Sequence, residues 1–125
     1  MKTPIKRPCV LIVDDYPLAR TMYRVTLEQS WFDVLEAADG VEALLQVRDI
    51  VPDLILMDWS MPLMDGCEAT RCLKSDSRTA SIPILVLSAH TGERIAEETR
   101  RAGCVALVAK PCLPSDLVKK IRHHL

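Results

Sequence analysis

Five short apolar runs punctuate the chain at intervals of about 20 to 28 residues, at 9–13, 33–37, 54–57, 82–87 and 105–109. They are rich in Val, Ile and Leu, and all but the second are nearly continuous rather than alternating. Strands covered on both faces read this way, which favours a parallel sheet over an antiparallel one. Between the runs lie segments with helical spacing. Leu18, Met22 and Val25 share one face of the first, Val41, Leu44 and Leu45 one face of the second, and Leu117, Val118, Ile121 and Leu125 mark the last; these faces are expected to pack on the sheet. Strand followed by helix, five times over, predicts a doubly wound α/β domain, because parallel neighbours need a crossover and the crossover helix covers a sheet face.

Local signals place the helix ends. Asp39-Gly40, Asp65-Gly66, Thr91-Gly92 and Pro114-Ser115-Asp116 supply caps or first-turn residues, and Gly103 after Arg100-Arg101 supplies a stop with cations at the negative end of the dipole. Residues 75–81 read as an ordinary helix-to-strand loop. Residues 93–101 are mostly charged, with Ile95, Ala96 and Ala102 as apolar anchors. Such a helix docks lightly, either as a mobile or partner-facing element or as a solvated face balanced by its own charge pairs.

The composition narrows the class. The 125 residues are 49% hydrophobic and 26% charged, enough apolar surface for one packed core, so residues 1–125 are expected to form a single domain. Sixteen Lys and Arg against seventeen Asp and Glu leave a net charge of −1, without the basic excess that direct nucleic-acid or membrane binding requires. The first apolar run is five residues long and ends in two aspartates, too short for a signal peptide or a membrane span, which points to the cytoplasm. Five cysteines, an odd number without a Cys-x-x-Cys pair, suit a reducing compartment and are expected to be small buried hydrophobes.

Ligands of an open parallel sheet bind beyond the carboxyl ends of its strands, and the residues there are informative. The first strand runs into Asp14-Asp15, the third into Asp58, the fourth into Ser88 and the fifth into Lys110-Pro111. Three carboxylates gathered at one rim repel one another and call for a positive partner. A hard divalent cation with oxygen ligands suits them, Mg²⁺ best, because it keeps waters and takes few carboxylates together with phosphate oxygens. Lys110 adds a point charge for a phosphoryl oxygen, and Ser88 a hydrogen-bond donor. This is the equipment of phosphoryl transfer.

The apolar strand ending in Asp14-Asp15, the run Asp58-Trp59-Ser60-Met61-Pro62-Leu63-Met64-Asp65-Gly66, the Ser88-Ala89 pair and Lys110-Pro111 stand in an order that resembles the receiver domain of two-component response regulators, from Pro8 to Leu125. The resemblance implies a flavodoxin-like (βα)5 fold with strand order 2-1-3-4-5. It implies that Asp58 accepts a phosphoryl group from a sensor histidine kinase or a histidine phosphotransfer protein, with no separate turnover substrate. Asp14, Asp15, Asp58 and the backbone carbonyl of Ser60 would hold Mg²⁺, Lys110 would bind the phosphoryl group across a cis Lys110–Pro111 bond, and Ser88 would move toward it, switching the surface offered to a downstream effector protein. One position departs from the family: the usual aromatic switch, three residues before the lysine, is Leu107, which has no hydroxyl to bury or expose. Receivers occur alone and fused to other domains, and both arrangements are open for this chain. His123 and His124 read as helix-end cations or solvated residues rather than metal ligands, and His90 lies near Ser88 without a defined role.

Three other readings compete. A receiver-like module could serve only as a docking surface, although all five signature positions are filled. A Mg²⁺-dependent phosphatase of the haloacid dehalogenase type requires Asp-x-Asp after the first strand, whereas Asp14 and Asp15 are adjacent. An FMN site lacks a loop of amide donors, and the four glycines form neither Gly-x-Gly-x-x-Gly nor a P-loop.

Overall fold

The computed structural model describes residues 6–61 and 63–125; residues 1–5 of the basic start and Pro62 of the 58–66 motif lie outside the described residues. The elements run β1 (Cys9–Val13), α1 (Pro17–Gln29), β2 (Asp33–Ala37), α2 (Gly40–Asp49), β3 (Leu54–Asp58), α3 (Gly66–Ser75), β4 (Ile84–Ser88), α4 (Glu93–Ala102), β5 (Ala106–Ala109) and α5 (Pro114–His123). All strand pairs are parallel and the order is β2-β1-β3-β4-β5, the doubly wound arrangement expected. Strand β4 starts two residues later than its apolar run, because Pro83 has no N–H for the ladder.

Residue alternation sorts the strands' side chains into two cores. Leu11, Val13, Ile55, Met57, Ile84 and Val86 face α2, α3 and α4, where Ala43, Val47, Ala69, Leu73 and Ala102 meet them. Val10, Ile12, Leu54, Leu56, Leu85 and Leu87 face α1 and α5, against Tyr23, Leu27, Leu117, Val118 and Ile121. The central strands β1, β3 and β4 are thus buried on both sides, which is why they read as continuous apolar runs, while β2 and β5 at the edges are partly exposed.

Two helix faces differ from expectation. On α1, Leu18, Met22 and Val25 are 69%, 46% and 45% exposed; the face on the sheet carries Ala19, Tyr23 and Leu27. The helix has two apolar stripes, and the one with a short Ala19 above the bulky Tyr23 and Leu27 closes on the strands. On α2, Val41 and Leu45 are exposed and Leu44 is half-buried, while Gly40, Ala43 and Val47 are buried. Close packing selects the small residues: a Cβ on Gly40 would lie 2.9 Å from Met64 Cγ and 3.0 Å from Ala69 Cβ. On α5, Leu117, Val118 and Ile121 are buried as expected, but Leu125 lies beyond the helix and is exposed.

The caps follow the sequence in part. Asp39 accepts from the Glu42 N–H at 2.8 Å and Asp65 from the Glu68 N–H at 2.9 Å. Gly92 and Leu113 cap α4 and α5 without a side-chain bond, so Thr91 does not cap, while Pro114 opens α5 and Asp116 stands in its first turn as expected. Gly103 ends α4 in the left-handed region at φ 103°. Helix α4 is lightly docked: Thr99 and Ala102 are buried and Ile95 half-buried, while Ala96 is exposed and Glu97 pairs with Arg100 and Arg101. The loop after α3 is more tightly tied than expected, since Lys74 Nζ donates to the Ala80 and Ile82 carbonyls at 3.0 and 2.7 Å. All five cysteines are free and half-buried rather than buried. Among the described residues no helix is long and apolar enough to cross a membrane.

Candidate functional site

The parallel ladder carries one residue beyond β1, β3 and β5 and so fixes the rim. Asp14 N–H donates to the Ala37 carbonyl at 3.1 Å, Trp59 N–H to Leu87 at 3.1 Å and Lys110 N–H to Ser88 at 2.8 Å. These bonds bring Asp14, Asp58, Ser88 and Lys110 to one edge from four separate strands. One carboxylate oxygen from each of Asp14, Asp15 and Asp58 lies within 4.8 Å of the others; Asp14 and Asp58 are buried and Asp15 exposed. Lys110 Nζ stands 3.3 Å from Asp58 Oδ1 and 3.5 Å from Asp14 Oδ2, and the Lys110–Pro111 bond is cis.

Nearby backbone N–H groups reach three of these side chains. Asp14 Oδ1 accepts from the Tyr16 N–H at 2.9 Å, and Asp58 Oδ1 from the Ser60 N–H at 3.4 Å. Ser88 Oγ accepts from the His90 N–H at 3.0 Å, which leaves its own proton to give; the His90 side chain itself is exposed. Ser60 lines a cleft with Asp15, Trp59, Met61, Asp65 and Glu98 beside the acids. Leu107 is half-buried against the core under α2–α4 and borders a different groove, between β5 and α5.

The electrostatics favour an added cation. Burial pushes the Asp58 carboxyl up from 3.8 to about 6; Lys110 pulls against this shift and Asp14 adds to it. Burial alone would lower the Lys110 ammonium, but Asp58 and Asp14 outweigh it and hold it above its ordinary range. One lysine thus faces three carboxylates. Among the described residues, Asp14 Oδ2 is buried without a hydrogen-bond partner, its charge offset only by the Lys110 ammonium 3.5 Å away. An all-oxygen cup with an orphaned buried acceptor suits a hard divalent ion of the Mg²⁺ type.

Two contacts were not anticipated from the sequence. Arg20 donates from Nη1 to the Asp14 carbonyl at 2.7 Å. The indole N–H of Trp59, next to Asp58, donates to Glu98 Oε1 on α4 at 3.1 Å. A helix-borne Arg six residues after Asp14 is the sole hint of the first, and its spacing does not say where the side chain points. No spacing signals the second, which joins residues 39 positions apart.

Comparison with known proteins agrees with this fold. The family model for the response regulator receiver domain matches residues 10–122. The polar-differentiation response regulator DivK of Brucella anthropi is 34% identical over 116 residues, covering 93% of this chain and 94% of DivK. Among solved structures, the chemotaxis protein CheY4 of Vibrio cholerae superimposes with a TM-score of 0.93 at 32% identity, covering 96% of this chain and all of that one. The receiver domain of a histidine kinase from Syntrophus aciditrophicus gives 0.87 at 28% identity, covering 94% and 89%. With the strand order and these relatives in agreement, the chain belongs to the receiver domains of two-component response regulators, the domains of phosphorelay signalling.

Proposed function

We propose that Asp58 is the phosphoacceptor. The observation that carries this reading is the convergence of Asp14, Asp15 and Asp58 with Lys110, whose Nζ lies within 3.5 Å of two of the acids. An Asp58 carboxylate oxygen attacks phosphorus of a phosphohistidine on a sensor kinase or phosphotransfer protein. The new P–O bond replaces the P–N bond, the electron pair returns to the imidazole, and an acyl phosphate is left on Asp58. Water later cleaves it, so the domain cycles without a separate turnover substrate.

Asp14, Asp15, Asp58 and the Ser60 carbonyl would hold Mg²⁺, which when bound neutralises charge gathering on the phosphoryl oxygens. Lys110 meets a phosphoryl oxygen as a point charge, and Ser88 turns its hydroxyl toward another, giving up its present place beside His90. That movement would redistribute the domain between two surfaces, of which one binds a downstream effector. With Leu107 in the aromatic position the switch has no phenol to bury. Proteins carrying the histidine donor, rather than nucleic acid or membrane, are the expected partners, and five free thiols suit work in the cytoplasm.

Intact-mass measurement after incubation with acetyl phosphate and Mg²⁺ tests the reading. A labile adduct of ~80 Da, one phosphoryl group, is expected on the native chain and is expected to be absent from Asp58→Asn. A native chain that stays unmodified would leave the docking-only reading in its place.

A further inference from the structure

The exposed acid of the cluster is held by backbone alone. Among the described residues no hydrogen bond or ion pair reaches the Asp15 side chain, so its position follows from the peptide that joins it to Asp14. Both sides of Asp14 are anchored. Its N–H donates to the Ala37 carbonyl on edge strand β2 at 3.1 Å, and its carbonyl, part of the Asp14–Asp15 peptide, accepts from Arg20 Nη1 at 2.7 Å.

Arg20 is itself fixed. Its side chain is 19% exposed, and its Nε stands 3.4 Å from Glu36 Oε1. The second oxygen of Glu36 stands 3.0 Å from Arg24 Nε. Glu36 lies one residue before Ala37, so a single stretch of β2 anchors the N–H of Asp14 directly and its carbonyl through the planar fork of Arg20. A guanidinium suits this part because it presents several donors in fixed relative directions.

We propose that Arg20 is a positioning residue for the cation site: by holding the Asp14 carbonyl it orients the Asp14–Asp15 peptide and keeps the Asp15 carboxylate beside Asp14 and Asp58. The inference rests on the cation reading above. It competes with a purely electrostatic role of opposite sign. A fixed positive charge near the acids repels a divalent cation, so electrostatics alone would make removal of Arg20 tighten Mg²⁺ binding. Loss of positioning weakens it.

Calorimetric titration with MgCl₂ separates the two. Arg20→Met, which keeps the stem and loses both polar contacts, is expected to raise the Mg²⁺ dissociation constant about tenfold, the low end of what losing an outer-shell partner typically costs. Arg20→Lys, with one donor centre to offer the carbonyl, is expected to fall between the two. Arg24→Met loses the Glu36 and Glu28 pairs but not the carbonyl bond and is expected to bind Mg²⁺ as the native chain does. Thermal melts of each variant report any loss of fold, and if Arg20→Met is unfolded, Arg20→Lys against Arg24→Met decides alone. Native-like or tighter binding in Arg20→Met, or in Arg20→Lys where that variant decides alone, would overturn the positioning role while the cation site stands. A native chain that takes up no Mg²⁺ would overturn both.

Discussion

Asp58 is ionised at neutral pH against the preference of its surroundings. Its carboxyl sits near 6 in the folded chain and near 3.8 when free, with burial as the leading cause. Between those values the folded chain retains a proton that the unfolded chain has released, so stability falls as pH rises through this window and the loss is complete above about 6. Asp58→Asn is therefore expected to stabilise the cation-free protein at pH 7.5 by about 1–3 kcal/mol and to change it little below pH 4. Urea melts at the two pH values check this, and millimolar Mg²⁺ should narrow the gap by stabilising the native chain. A variant less stable at pH 7.5 would mean that Lys110 compensates the charge more fully than the geometry indicates. At this scale the acids, Ser88 and Lys110 were legible in the sequence because each follows an apolar strand whose carboxyl end has one fate in a parallel sheet. Arg20 was not, because its part depends on the direction of a long side chain that spacing does not encode.

Turns and helices divide in the same way. The strands could be read because burial on both faces leaves a continuous apolar signature, and Asp39 and Asp65 because a cap acts within three residues of itself. The faces of α1 and α2 could not, because which apolar stripe meets the sheet depends on how closely the helix approaches, and Gly40 and Ala43 win there by size rather than by hydrophobicity. Gly66 shows the same control by space at the site. A Cβ there would stand 2.6 Å from the Asp58 carbonyl oxygen and 2.9 Å from Trp59 Cα. These are backbone atoms, which cannot turn aside. Gly66→Ala is expected to cost about 1–3 kcal/mol or more, as overpacking does, and to slow phosphorylation, because the atom it displaces belongs to the proposed acceptor, Asp58. Gly92→Ala, with nothing within 4 Å, should stay within about 1 kcal/mol. Denaturant melts of the pair, with phosphorylation rates, measure both effects.

At the scale of the whole molecule, one sheet is the common wall of two cores, so each central strand supports helices on both sides while its end supplies the chemistry. The alternation of strand and helix made this layering legible. The order of the strands came from the family likeness, since apolar runs do not say which neighbour each will choose. A separate feature lies opposite the acids: Lys6, Arg7 and Pro8 border the same cleft as His124 and Leu125. The two ends of the described stretch therefore meet at the foot of the sheet, a full strand length from the rim. Ligating Lys6 to Leu125 through a short Gly/Ser connector should yield a ring that melts at a higher temperature, because a closed chain has fewer unfolded arrangements to lose. Its Asp58 should still take up phosphate at the native rate, since the seam and the chemistry occupy opposite poles.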